Sequence, residues 1–83
     1  MPYIEQKRRE ELDSFLIAAP AVTSGELNYK ITQILLDYLR VNGTRYQVFN
    51  DITGALDNAK QEFYRRVVVP YEDEKIKLNG DVY

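Results

Sequence analysis

Residues 45–69 read RYQVFNDITGALDNAKQEFYRRVVV, and the reading of this stretch decides the fold. Tyr46, Phe49, Ile52, Leu56, Ala59, Phe63 and Val67 recur at three- and four-residue spacing, which is the period of one helical face. The spacing predicts one long helix over 45–69. Thr44-Arg45-Tyr46-Gln47 supplies a Ser/Thr-x-x-Glu/Gln capping box at its start. A competing reading starts the helix later, with Asn50 or Asp51 as N-cap and 46–49 as a loop. The unbroken spacing favours the longer version. Gly54 sits inside the helix at a cost of roughly 1 kcal/mol relative to Ala, so it either allows a bend or admits another backbone.

Working outward, Asn42-Gly43 supplies a left-handed stop for a preceding helix over 24–41. Leu27, Ile31, Ile34, Leu35, Tyr38 and Leu39 form its apolar stripe. Thr23-Ser24-Gly25-Glu26 caps it: Thr23 accepts from the backbone N–H three residues on, and Glu26 reaches back to the cap N–H. Ile4, Arg8, Leu12, Phe15, Leu16 and Ala19 mark one face of a first helix over 5–18, which Pro20 ends. Beyond residue 69, Pro70 interrupts the pattern after the β-branched Val67-Val68-Val69 and suits the first position of a new helix over 70–78. Glu72, Asp73 and Glu74 fall in its first turn and Lys75 and Lys77 near its end, the order that complements the helix dipole. Asn79-Gly80 closes it. The expected fold is all-α, a compact bundle of about four helices (5–18, 24–41, 45–69, 70–78) in a single domain, 1–83.

The chain has 83 residues, 45% apolar and 29% charged, enough for one domain with a small core. Its net charge of −2 gives no strong drive toward nucleic acid or anionic lipid. It contains no Cys, His or Trp. That composition excludes disulfides, thiol nucleophiles, Cys/His metal sites and imidazole acid–base chemistry. No cofactor or metal is expected. The charged N-terminal stretch is not a signal peptide, and the longest apolar run, 15–22, is too short to span a bilayer. A cytoplasmic location is the expectation.

Burying an apolar side chain contributes roughly 1.5–3 kcal/mol, against about 1–2 kcal/mol of backbone entropy per ordered residue. Four short helices leave that balance marginal. Tyr is used seven times, and its apolar ring with a polar tip suits protein interfaces. A dimer or higher homo-oligomer is therefore expected; the competing reading has the tyrosines rimming a monomer core.

The densest polar-aromatic stretch is Glu62-Phe63-Tyr64-Arg65-Arg66, continuing through Pro70-Tyr71-Glu72-Asp73. Adjacent guanidiniums beside tyrosines make a fork for phosphate with a stacking surface next to it. The plainer reading pairs Arg65 and Arg66 with Glu62, Glu72 or Asp73 and braces the corner. Asn28-Tyr29 and Asn50-Asp51 are a second candidate: Asn28 shares a helix face with Thr32, and Asn50 and Asp51 stand where helix propensity does not call for them. They bind something, or they cap a neighbour. Paired acids could hold Mg²⁺ for nucleotide pyrophosphohydrolysis. Only Glu10-x-x-Asp13 has that spacing, and the second pair is missing. No P-loop, G-x-G-x-x-G or G-x-S-x-G motif occurs, and Ser14 and Ser24 have no His to activate them. A DNA-reading helix-turn-helix over 40–66 would carry Asp51, Asp57 and Glu62 against phosphate, so nucleic acid is disfavoured.

Pro2-Tyr3-Ile4, Gly25-Glu26-Leu27-Asn28-Tyr29 with Ile31-Thr32, Asn50-Asp51 with Gly54, Glu62-Phe63-Tyr64-Arg65-Arg66-Val67, and Pro70-Tyr71-Glu72-Asp73 with Lys75-Ile76 and Asn79-Gly80-Asp81-Val82-Tyr83 together carry a likeness over nearly the whole chain. The chain resembles a group of small uncharacterised proteins of bacteria and their phages, a domain of unknown function. The resemblance implies no reaction. It does imply that the tail through Tyr83 belongs to the domain, with the Tyr83 carboxylate docked on Arg65 or Arg66. By analogy with tiny oligomeric phage proteins, it also raises sequestration of a nucleotide messenger of bacterial immunity.

The expected function is then a non-enzymatic homo-oligomer that binds a small anionic, nucleotide-like ligand between subunits. Arg65 and Arg66 would hold phosphate and Tyr64 and Tyr71 would stack. Asn28-Tyr29 and Asn50 would contribute polar edges. The alternative is a protein-protein adaptor or scaffold, and an acid-metal hydrolase comes last.

Overall fold

A computed structural model describes residues 4–83; the side chains of Leu16 and Ile17, and the Pro2-Tyr3 pair of the N-terminal motif, lie outside the described residues. The regular structure among the described residues is all helical, in agreement with the all-α expectation. Helix α1 spans Gln6–Ile17 and α2 spans Ser24–Asn42. A long third helix is made of α3, Tyr46–Phe63, a π-turn, Tyr64–Val68, and α4, Val69–Asn79, joined end to end. The chain divides into two units, Met1–Thr44 and Arg45–Tyr83.

In the first unit, α1 begins after an extended Glu5 that makes no side-chain cap. Arg9 Nε donates to the Ile4 carbonyl at 2.7 Å and Arg8 pairs with Glu11 at 2.8 Å. The helix stops at Ile17, two residues before the position that Pro20 bars from helical geometry. Thr23 then caps α2 as expected: its Oγ1 accepts from the Glu26 N–H at 3.1 Å. The return arm differs. The Glu26 carboxylate accepts from the Val22 N–H at 2.9 Å, one residue upstream of the expected cap N–H, because the extended Thr23 backbone leads back along the incoming chain. Lys30 Nζ donates to the Ala19 carbonyl and ties the joint to α2. Of the expected α2 stripe, Ile31, Leu35 and Leu39 are half-buried, on a single i, i+4 line, while Leu27, Ile34 and Tyr38 are exposed. The helix ends at Gly43, whose φ of 93° and ψ of 164° lie in a region essentially reserved for glycine. The stop is therefore positive in φ but extended in ψ, not the left-handed helical cap the sequence suggests. Its N–H donates to the Leu39 carbonyl at 2.8 Å.

In the second unit, the expected Thr44–Gln47 capping box does not form. Arg45 is the extended N-cap and offers no side-chain cap bond. That places Gln47 second in the helix, not third, and its amide donates to Asp51 Oδ1 at 2.8 Å instead. Asn50 and Asp51 lie inside α3, so the long version of the helix holds at its start. Val48 is the one buried side chain among the described residues, at 2% exposure, and Ile52 on the next turn is half-buried. Of the expected stripe Ile52 keeps partial burial, Val48 is covered in place of its neighbour Phe49, and Phe49, Leu56, Phe63 and Val67 are exposed. Apart from its chain neighbours and its own helix backbone, nothing among the described residues lies within 4 Å of where a Cβ on Gly54 would stand, so no second described backbone segment approaches there.

The break expected between 69 and 70 is a π-turn. The Val69 N–H donates to the Tyr64 carbonyl, five residues back. In a regular α-helix the Pro70 ring would press on the carbonyl four residues earlier, that of Arg66, and would supply no N–H to it. Widening the turn relieves that collision and lets three β-branched valines sit with less crowding. The helix therefore runs on through Pro70 to Asn79. Gly80, with φ 85° and ψ 160°, repeats the stop used at Gly43. Tyr83 is fully exposed and its N–H donates to Asp81 Oδ1 at 2.9 Å. The expected docking of its carboxylate on Arg65 or Arg66 is not seen, because α4 runs from the π-turn to Asn79 and leaves the exposed Tyr83 beyond its far end.

Candidate functional site

The π-turn holds three of the candidate residues, Tyr64, Arg65 and Arg66, in sequence. Single π-turns inside α-helices recur at functional sites. One turn before them stands Glu62. Arg65 Nη2 donates to both Glu62 oxygens, at 2.8 and 2.9 Å, and Arg66 Nε donates to Glu62 Oε2 at 2.7 Å. Hydrogen bonds from Arg66 first and Arg65 second hold the Glu62 carboxyl below its ordinary value, with partial burial opposing them. The plainer sequence reading, a brace, is thus what the side chains form. A guanidinium carries five N–H donors, however, and these two spend one nitrogen each. Both Arg side chains remain about two-thirds exposed, at 68% and 70%, while Glu62 is 30% exposed. Two cations on one carboxylate leave a net positive charge, carried on guanidinium side chains that are mostly open to solvent.

The aromatic neighbours are arranged differently. Tyr64 Oη donates to Glu72 Oε1 at 3.3 Å. At about 100° per residue, positions eight apart lie about 80° apart around an α-helix. The wider π-turn takes up much of that angle and brings these two into line. Tyr71 lies on α4 with Lys75 Nζ 5.5 Å from its ring centroid, so one face of that ring is already taken by a cation. Asn50 lies on α3 fourteen residues before Tyr64, about 21 Å along the axis at 1.5 Å per residue. A single copy does not bring it to the arginines. Asn28 and Tyr29 belong to the first unit, where Thr32 Oγ1 donates to the Asn28 carbonyl at 2.9 Å.

The first unit has a groove of its own, about 1040 Å³, between α1 and α2. Tyr29 lines it with Leu12, Phe15 and Ile34. Lys30 and Arg40 stand at its edge, the former bonded to Ala19 and the latter paired with Asp37. Helical spacing marks Leu12, Phe15 and Ile34 as apolar-face residues, and here they line an open groove. Glu10 and Asp13 share α1, but no group of three or more acidic residues among the described ones could hold a metal ion. No helix of the described residues is long and apolar enough to cross a membrane.

Sequence reasoning located the Tyr64–Arg66 cluster and its Glu62 partner. It missed the π-turn and the pairing of Tyr64 with Glu72. The available signal was Pro70 standing four residues after Arg66 behind three valines, a placement that forces a helix either to stop or to widen. No curated protein and no solved structure matches the chain. A family model does match residues 1–82, nearly end to end, and the chain belongs to the family described as Domain of unknown function (DUF6899).

Proposed function

We propose that this chain is a small self-associating helical binding protein without catalytic machinery. The observation that carries the reading is the imbalance between burial and exposure. Val48 is buried, whereas Phe49, Leu56, Phe63, Val67, Tyr71 and Leu78 of the same unit are all at least 41% exposed. Exposed large apolar side chains in that number favour a covering partner, and symmetric self-association is the commonest way to supply one. Size-exclusion chromatography with light scattering tests this: a mass of two or more chains at micromolar concentration supports it, and a single-chain mass overturns it. A different protein could cover the same faces. An adaptor of that kind would elute at single-chain mass and retain a partner in a pull-down from its host.

A specific observation favours an anionic ligand as the cargo. Glu62 fixes two guanidiniums that remain about two-thirds exposed, and exposed guanidinium donors suit bidentate phosphate recognition. In the cytoplasm of a bacterium or a phage-infected bacterial cell, such a protein would sequester a nucleotide or cyclic-nucleotide signal. Calorimetric titration with a panel of nucleotides and cyclic dinucleotides decides it. Binding that disappears in Arg65→Ala and Arg66→Ala supports the assignment, and an absence of heat from the whole panel removes it.

A further inference from the structure

We infer that the self-association proposed above, on which this inference rests, is an antiparallel pairing of α3 with α3 of a second copy, centred on Leu56. Tyr46, Phe49, Thr53, Leu56, Lys60 and Phe63 follow one another at spacings of three and four along α3. That alternation is the seam of a two-helix coiled coil, with knobs seated in the holes of the facing helix. Every one of the six is exposed in the single chain. Tyr46 and Phe49 already meet edge to face, ring centroids 6.3 Å apart and planes at 77°, so one end of the seam is a preformed aromatic knob.

The seam is self-complementary in one direction only. Turned about Leu56, Phe49 of one copy meets Phe63 of the other, and Thr53 meets Lys60. Aromatic faces aromatic, and the seam's two polar side chains face each other, small against long. The Thr53 hydroxyl donates to the Phe49 carbonyl at 3.0 Å and keeps its lone pairs to accept from the Lys60 ammonium. A parallel pair would instead stack Lys60 on Lys60 and align the two helix dipoles, both unfavourable. The large apolar members are between 41% and 86% exposed. At the areas such side chains present, the seam covers on the order of 600 Å² per copy and about 1,200 Å² per pair, the lower edge of a standard interface.

The chain's lack of cysteine makes single-cysteine crosslinking a clean test. Under mild oxidation with glutathione disulfide, Leu56→Cys should give a covalent dimer, and Asn58→Cys, on the opposite face, should not. Phe49→Cys and Phe63→Cys should each stay uncrosslinked alone and form a dimer when mixed. Self-crosslinking of Phe49→Cys would overturn the antiparallel order. If wild type is dimeric by light scattering and Leu56→Cys fails to crosslink, the seam is wrong while self-association stands. If wild type is a single-chain species, both fall.

Discussion

Pro20 and Pro70 meet the helical backbone in opposite ways. Pro20 follows α1, and there the helix stops at Ile17, an irregular stretch follows, and a new cap at Thr23 starts α2. Pro70 stands in the first turn of α4, and just before it the backbone of α3 widens into a π-turn and continues without a stop. The residue chemistry is the same: no N–H, and a ring that crowds the carbonyl four residues back. The surroundings differ. The first joint has Thr23, Glu26 and Lys30 to satisfy the loose backbone ends. The second offers no such cap, but Val69 can donate to Tyr64 across a wider turn and Tyr64 can reach Glu72. A proline therefore selects between stopping and widening according to which option leaves fewer backbone groups unsatisfied.

The contrast can be broken most directly at Pro70. Pro70→Ala restores an N–H and removes the ring, so the turn should close to regular α geometry. An interior proline costs about 3 kcal/mol, part of which the π-turn already relieves, so a gain of about 1–3 kcal/mol in urea unfolding is expected. The Tyr64–Glu72 hydrogen bond should be lost as the faces rotate apart, and Val69 should move its donor from the Tyr64 to the Arg65 carbonyl. Carbonyl chemical shifts would record both changes, and an unchanged π pattern would show that Pro70 is not its cause.

At the other joint, Thr23→Ala removes the cap that makes stopping favourable. It should lower stability by about 1 kcal/mol and increase amide exchange in the first turn of α2, with no change at the π-turn.

A smaller effect follows from Glu62. Its carboxyl is held below its ordinary value of 4.5 by Arg66 and then Arg65. A lowered folded value means that the stabilisation is fully present above pH 4.5 and disappears as the pH falls through the folded value. Urea midpoints of wild type and Glu62→Gln should differ by a constant amount at neutral pH and converge in acid. A difference that grows on acidification would reverse the assignment.

Least of all should come from Pro20→Ala. The Thr23 cap and the Lys30–Ala19 bond hold the joint without the proline, so a shift within about 0.5 kcal/mol is expected, with α1 still ending near Ile17 by chemical shift.

Much of this molecule follows from interactions within four residues of chain. The starts and stops at Thr23, Asn42-Gly43 and Asn79-Gly80, and the helical period of 46–67, depend on backbone donors, side-chain caps and spacing, all of which are local. The candidate cluster was legible for the same reason, since Glu62, Arg65 and Arg66 pair at separations of three and four. What the structure alone decided lies beyond that range. Whether Pro70 stops or widens a helix depends on whether Val69 can donate to the Tyr64 carbonyl across a wider turn, an arrangement that also lets Tyr64 reach Glu72 eight residues away. Val48 is buried and its neighbour Phe49 is exposed, a choice that spacing alone does not make. The periodic pattern fixes an apolar sector but does not say which edge of it will be buried. The sector's other edge, from Tyr46 to Phe63, is open in this chain, because burial is a property of neighbours and periodicity a property of one helix.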